Sequence, residues 1–128
     1  MAKKKATLAE IIRRKKQGEI QKAQVKYYDS ETLGMRIEIR KIPLSKYMEL
    51  IESLEDENSI DGMNRIIYEC CPMFKENTKE AMEIYEVAEP TDLPSAVLEE
   101  QLNEMKDIIE IINSFYGMDK IDEEIKNS

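Results

Sequence analysis

The strongest constraint on the fold is an apolar periodicity near the C-terminus. Between residues 97 and 116, apolar side chains recur at steps of four and three residues, which is the spacing of one face of an α-helix. The stripe consists of Leu98, Leu102, Met105, Ile109, Ile112 and Tyr116, widened by Val97, Ile108, Ile111 and Phe115. We therefore predict one long helix that begins near Pro94 and ends at Gly117, because proline suits a first helical turn and glycine a helix C-terminus.

Shorter helices are predicted earlier in the chain. Thr7 and Glu10 have the spacing of a capping box, in which each side chain accepts a backbone N–H of the other residue. Ser45 is a candidate cap for a second helix, and Pro72 ends a third because the residue before proline avoids the helical conformation. The predicted helices are Leu8–Lys16, Lys46–Leu54, one from Ser59 or Asp61 to the residues before Pro72, and residues 78–85.

A period of two replaces the helical period between residues 20 and 41. Met35, Ile37 and Ile39 alternate with charged residues, and a more ragged alternation covers residues 20–28. The two runs flank a turn-rich segment with a glycine, which predicts a β-hairpin with one face on a core, closed by Pro43. The predicted fold class is α+β and mostly α-helical, with an N-terminal β-hairpin packed against a bundle of about four to five helices.

At 128 residues the chain is expected to form one domain. We assign residues 1–17 to a basic N-terminal arm with a short helix, and residues 18–118 to a single globular domain. In that domain the hairpin covers residues 20–41 and the helices run to 117, and residues 119–128 form a polar C-terminal tail. No apolar run approaches the roughly 20 residues of a membrane span, and the N-terminus lacks the apolar region of a signal peptide, which favours the cytoplasm.

Charge is sorted along the chain. Residues 1–28 contain nine Lys or Arg and two Glu, a net charge of +7, whereas the total is −8, so residues 29–128 carry −15. This favours a protein that works by binding other protein. The basic clusters 3–5 and 13–16 could also contact phosphates, so a nucleic-acid-binding regulatory protein stays open as the alternative, although the acidic body would repel a nucleic acid. A solvated basic arm, or an arm that docks on the acidic body of a neighbouring subunit, are the other interpretations.

The sequence lacks the side chains that most enzymes use near neutral pH. It contains no His, the side chain whose ordinary pKa lies closest to neutrality, and its four Gly form no phosphate-binding loop. Cys70 and Cys71 are adjacent, which disfavours a disulfide between them, and no further Cys or His exists to complete a metal site. We interpret them as reduced, mostly buried thiols. We expect no catalytic, cofactor-binding or metal-binding residue and predict that the protein is not an enzyme.

Candidate partner-binding residues come from the C-terminal stripe. Eight Met supply pliable apolar side chains that suit adaptable binding surfaces, although Met48, Met63 and Met105 are expected to fill the core. Part of so wide a stripe is expected to remain for a partner helix, and self-association is predicted from it and from the oppositely charged halves. The candidate residues are Leu98, Leu102, Met105, Ile109, Ile112, Phe115 and Tyr116.

Four segments in register carry a resemblance to a known family. They are RKIPLSKYMELIES (40–53), IIYECCPMF (66–74), YEVAEPTDLPSAVLE (85–99) and EIINSFYGM (110–118). Together they resemble the XkdN-like tail assembly chaperones of tailed phages and prophages of Gram-positive bacteria, and the similarity covers roughly residues 7–118.

The resemblance implies a small protein of the host bacterial cytoplasm that coats the tape measure protein before the tail tube polymerises. Its implied partners are the tape measure protein, the tail tube protein that replaces it, further copies of itself and a longer form made by a translational frameshift. Neither a nucleic acid nor a membrane is among them, and the chaperone is not expected in the mature virion. The family supplies no catalytic residues to carry over.

Overall fold

The computed structural model describes residues 5–18, 24–52 and 59–118. Within these ranges a two-stranded antiparallel hairpin is combined with six α-helices and two short 3-10 helices, so the predicted α+β, mostly helical fold is confirmed. The strands are β1 (Val25–Ser30) and β2 (Met35–Arg40), and the 3-10 helices are Pro72–Lys75 and Pro90–Asp92. The α-helices are α1 (Leu8–Lys16), α2 (Leu44–Glu52), α3 (Ile60–Cys70), α4 (Thr78–Tyr85), α5 (Leu93–Val97) and α6 (Leu102–Ser114).

Three helices have the predicted bounds or start signals. The Thr7 hydroxyl accepts the Glu10 N–H at 3.3 Å at the start of α1. At the start of α3 the Ser59 hydroxyl accepts the Gly62 N–H at 3.0 Å, and this helix ends before Pro72, which opens a 3-10 helix. Helix α4 covers residues 78–85 as predicted. Side-chain caps and a proline stop are local signals, which explains why the sequence placed these elements.

The predicted role of Ser45 is wrong. Helix α2 begins at Leu44, two residues earlier than predicted, and the Tyr47 N–H already donates to the Pro43 carbonyl at 3.0 Å. Ser45 therefore lies inside the first turn instead of capping it. The end predicted at Leu54, the first residues of the strand predicted from Ile20 and the tail 119–128 lie outside the described residues.

The single long C-terminal helix is also wrong, because the chain breaks after α5. Glu99 and Glu100 have φ values of 54° and 59°, in the left-handed region that costs a residue with a side chain about 1–2 kcal/mol. Their N–H groups donate to Ala96 and Ser95 carbonyls, which caps α5, and α6 then starts at Leu102. The apolar spacing continues through the break. It therefore predicted correctly that most of these side chains are buried, but it wrongly predicted one continuous helix.

One face of the hairpin and the inner faces of the helices form the core. Ile37 and Ile39 of β2 are buried, whereas Met35, next in the same alternation, is exposed at the strand's start. The buried cluster consists of Ile37, Ile39, Tyr47, Met63, Ile66, Ile67, Cys70, Cys71, Phe74, Leu93, Leu98, Met105, Ile108, Ile112 and Phe115. Met63 and Met105 fill the core as predicted, whereas the prediction for Met48 is wrong, because this side chain lies on the exposed face of α2.

Strand β1 runs antiparallel to α6 and is joined to it by polar side chains. The Lys26 ammonium donates to the Ser114 hydroxyl at 2.6 Å near the C-terminal end of α6, while the Ser30 hydroxyl donates to the Glu104 carboxylate at 2.6 Å near its N-terminal end. The chain therefore enters β1 at the C-terminal end of α6, and the hairpin turn lies at the N-terminal end.

Candidate protein-binding cleft

The structure places most of the seven predicted partner-binding residues inside the subunit. Leu98, Met105, Ile112 and Phe115 belong to the core cluster. Ile109 and Tyr116 are partly buried, and Tyr116 stacks on Tyr47 with ring centroids 4.4 Å apart. Only Leu102 is exposed. The four core residues pack this subunit, so a partner surface has to be built from other side chains, with Leu102 among them.

Leu102 lies at the edge of a cleft between the N-terminal ends of α3 and α6. The cleft has a volume of about 250 Å³. Ile60 and Leu102 are the first residues of their helices and are 49% and 42% exposed, and the buried Met105 closes the cleft on the inside. The lining residues are Ile60, Ser95, Glu100, Leu102 and Met105. The break after α5 is what makes Leu102 a helix start beside α3, so the cleft follows from the left-handed pair of glutamates.

A buried amide fixes one wall of the cleft. Asn64 of α3 is buried, its Oδ1 accepts the Ser95 N–H at 2.8 Å and its Nδ2 donates to the Ser95 hydroxyl at 2.9 Å. These paired bonds hold the first turn of α5 against α3. A buried polar group with all partners present favours one arrangement of the elements around it. The sequence does not predict this role of Asn64, because no residue near it indicates a partner 31 positions away.

The surroundings of the cleft are acidic. Glu100 lines it, and Glu99 and Asp61 are the sequence neighbours of lining residues. Residues 59–118 contain thirteen Asp or Glu and four Lys or Arg, a net charge of −9. A partner that fits this cleft therefore combines apolar side chains with positive charge.

Glu104, the neighbour of Met105 in the sequence, is buried, and its carboxylate holds the hairpin turn. Besides the Ser30 hydroxyl, it accepts the Thr32 N–H at 3.2 Å and the Thr32 hydroxyl. Burial raises the pKa of Glu104, but the hydrogen bonds from Ser30 and Thr32 outweigh it, so the pKa lies below its ordinary value. Burial and the nearby Glu104 and Asp107 carboxylates raise the pKa of Tyr28 to about 12. Glu104 therefore acts as an ionised anchor for the hairpin turn, and no residue near it in the sequence indicates its partners Ser30 and Thr32.

The two cysteines are free thiols in the core, which confirms their predicted burial. Burial raises the pKa of Cys70 to about 12, helped by the neighbouring Glu69 carboxylate, and burial also raises the pKa of Cys71. A thiol reacts as a nucleophile through its thiolate, so neither is activated for chemistry. In residues 5–18, 24–52 and 59–118, no group of three or more His, Cys, Asp or Glu could hold a metal ion.

Helix α1 buries none of its side chains. Its apolar residues Leu8, Ile11 and Ile12 share one face at the i, i+3, i+4 spacing, and all three are exposed. Four basic residues occupy the last turn, and the Glu10 carboxylate pairs with Arg13 at 2.6 Å. The helix carries four basic residues and one Glu, a charge of +3. Helix α1 is therefore basic and amphipathic.

No family model, no curated protein and no solved structure matches this chain. Among the described residues, no helix combines the length and the apolar character needed to cross a membrane.

Proposed function

We propose that this protein is a non-enzymatic phage tail assembly chaperone that binds and solubilises the tape measure protein before tail tube polymerisation. The observation that carries the proposal is the exposed apolar surface. Among the described residues twelve large apolar side chains are exposed: Leu8, Ile11, Ile12, Val25, Tyr27, Met35, Leu44, Met48, Ile60, Ile84, Tyr85 and Leu102. The resemblance of residues 7–118 to XkdN-like chaperones names the partner.

Helix α2 offers the clearest surface for a client helix. Leu44 and Met48 are exposed and four residues apart, so they form an apolar strip on its outer face, continued by the partly buried Ile51. A helix strip of this kind packs against a second amphipathic helix. The flexible Met48 side chain adapts to different client sequences, which suits a chaperone that covers many segments of a long helical protein.

The charge of the subunit fits the same role. A total charge of −8 opposes aggregation once apolar client segments are covered. Weak, distributed contacts allow release, as required if tail tube protein replaces the chaperone during polymerisation. In this proposal the protein acts in the host bacterial cytoplasm, is left out of the mature virion, and works with a longer frameshifted form of itself.

Co-expression with a fragment of the tape measure protein tests the proposal. We expect the chaperone to raise the soluble yield of the fragment and to co-purify with it. The variant Leu44→Ser with Met48→Ser removes two exposed apolar side chains, so the fold should persist while recovery of the fragment falls by about tenfold or more, as expected for loss of two apolar contacts.

The matched control is Glu49→Ser, an exposed change on the same helix, which should leave recovery unchanged. Equal yields of soluble fragment with and without the chaperone would refute the proposal. So would tight, salt-sensitive DNA binding that disappears when the basic residues of α1 are neutralised, since that result belongs to the nucleic-acid-binding alternative.

A further inference from the structure

The cleft between the N-terminal ends of α3 and α6 offers a ligand apolar walls and one unpaired charge. Its two polar lining side chains are Ser95 and Glu100. The Ser95 hydroxyl is already used inside the subunit, because it accepts the Asn64 amide at 2.9 Å and donates to the Asp92 carbonyl at 3.3 Å. The Glu100 carboxylate is exposed and has neither an ion pair nor a hydrogen bond among the described residues. The side chain that remains for a ligand is therefore a carboxylate.

The charge around the cleft also favours a cation. Residues 57–63 and 92–108, which lie within three positions of a lining residue, contain seven Asp or Glu and one basic residue, Lys106, a net charge of −6. Two helices begin at the cleft, and each helix N-terminus acts as about half a positive charge. Their combined charge of about +1 is small beside that of the side chains. A ligand that completes the electrostatics of this site is therefore positive.

The size and the walls of the cleft suit side chains of a protein segment. Its volume of about 250 Å³ is below the roughly 300–1,000 Å³ typical of small-molecule pockets. The exposed Ile60 and Leu102 flank the opening, and the buried Met105, whose unbranched side chain adapts to irregular shapes, forms the inner wall. The cleft thus accepts an apolar side chain between two helix ends, with Glu100 beside it.

We propose that this cleft binds a basic amphipathic helix of a partner protein. An apolar side chain of that helix enters between Ile60 and Leu102, and a Lys or Arg three or four positions away, which lies on the same side of the helix, pairs with Glu100. The partner is assigned as the tape measure protein, an assignment that rests on the proposed function. The cleft then selects basic stretches of that client, through residues other than the apolar strip on α2.

Fluorescence anisotropy with labelled peptides and the full-length protein tests the cleft. The probe is a synthetic helical peptide of Leu, Ala and Lys, in which Leu recurs at steps of three and four residues and Lys lies beside it. In a second peptide Glu replaces every Lys. We expect the basic peptide to bind and the acidic peptide to remain unbound. Added salt should weaken the binding, because it screens the charge pairing.

A pair of glutamate variants separates the cleft from the overall charge of the protein. Glu100→Gln should weaken binding of the basic peptide about threefold to fivefold, as expected for the loss of one exposed ion pair. The matched control, Glu110→Gln, removes the same charge from an exposed position on α6 and should leave the affinity unchanged. Because both variants have the same net charge, a difference between them arises at the cleft.

A pair of apolar variants tests the walls. Ile60→Ser with Leu102→Ser should weaken binding by about tenfold or more, as expected for two lost apolar contacts. The control, Ile84→Ser with Tyr85→Ser, removes two exposed apolar side chains from α4 and should bind like the unaltered protein. All four side chains are exposed, so both variants should keep their circular dichroism and melting temperature.

Several results would overturn the inference. They are equal binding of the basic and acidic peptides, no binding of either, equal affinities of Glu100→Gln and Glu110→Gln, or unchanged binding when Ile60 and Leu102 are replaced. Tighter binding of the peptide by Ile11→Ser with Ile12→Ser would also overturn it, since that result would identify α1 of this chain as the occupant of the cleft.

Co-purification of the tape measure fragment distinguishes this inference from the proposed function. If the basic peptide binds at the cleft but the fragment fails to co-purify with the unaltered protein, the proposed function fails and the ligand chemistry of the cleft stands. If the fragment co-purifies equally with the unaltered protein and with Ile60→Ser, Leu102→Ser, the inference fails and the proposed function stands.

Discussion

Among individual side chains, Glu104 is a buried, charged residue that joins two elements of the fold. The residue is 3% exposed, and its carboxylate accepts hydrogen bonds from Ser30 and from the N–H and hydroxyl of Thr32. Hydrogen bonds to a charged group are worth more than neutral ones, and a buried group left without partners is costly. Glu104 therefore links α6 to the hairpin turn, next to a helix start that lines the cleft.

Replacing this carboxylate by an amide should destabilise the fold. In Glu104→Gln one oxygen becomes an NH2 group that faces the Thr32 donors, so we expect a loss of about 1–3 kcal/mol in the free energy of unfolding near neutral pH. Urea titration followed by circular dichroism measures it. The control Glu110→Gln, exposed on the same helix, should stay within about 0.5 kcal/mol.

The comparison of the unaltered protein with Glu104→Gln also predicts how the free energy of unfolding depends on pH. The pKa of Glu104 is lowered in the folded state, so its stabilisation is fully present above the unfolded pKa of about 4.3 and is lost as the pH falls through the folded value. The difference in unfolding free energy between the unaltered protein and Glu104→Gln should shrink as the pH falls below about 4. If this difference in unfolding free energy stays constant down to the acid transition, the ionised Glu104 carboxylate does not stabilise the fold as proposed.

Among the helices and strands, the break after α5 decides where the cleft forms. Glu99 and Glu100 are in the left-handed conformation, which glycine adopts at little cost. Replacing Glu99 with Gly removes that strain but adds freedom to the unfolded chain, so we expect a net gain of about 0.5 kcal/mol in unfolding free energy. Glu99→Val should lose about 1 kcal/mol or more, since a branched side chain fits this conformation poorly.

Helix α6 supplies the control for this prediction. Glu110→Gly, at an exposed position inside the helix, should cost about 1 kcal/mol. If residues 93–114 formed one continuous helix, Glu99→Gly would cost the same as Glu110→Gly, and equal losses in denaturant titrations would rule out the break.

The helices that the sequence predicted have local signals, and the features that it missed depend on distant contacts. Thr7, Ser59 and Pro72 mark starts and a stop within a few residues, so α1 and α3 followed from them. Glu99 and Glu100 are good helix formers, so their left-handed conformation shows that the tertiary context overrides the local preference here. The cleft joins Ile60 to Leu102, 42 positions apart in the sequence, which no periodicity indicates.

Taken over the full subunit, the core can be monitored through its two thiols. Cys70 and Cys71 are buried, and the pKa of Cys70 is raised to about 12, so a disulfide reagent at about pH 8 should react with the folded protein only through opening of the core. We expect both thiols to react rapidly in denaturant and very slowly without it. Glu104→Gln should speed labelling about tenfold for each 1.4 kcal/mol that it loses.

The comparison of variants separates opening of the whole core from local motion. Suppose that a variant loses unfolding free energy in urea and yet keeps the labelling rate of the unaltered protein. In that case the reagent reaches the thiols through a local opening, and the core does not open as one unit.

The position at which the chain enters β1 has a consequence for the speed of folding. Lys26 bonds to Ser114 and Ser30 to Glu104, which are 88 and 74 positions apart in the sequence. Contacts between such distant positions close long loops, so we expect them to form later than the hairpin turn and the helices, whose contacts are local.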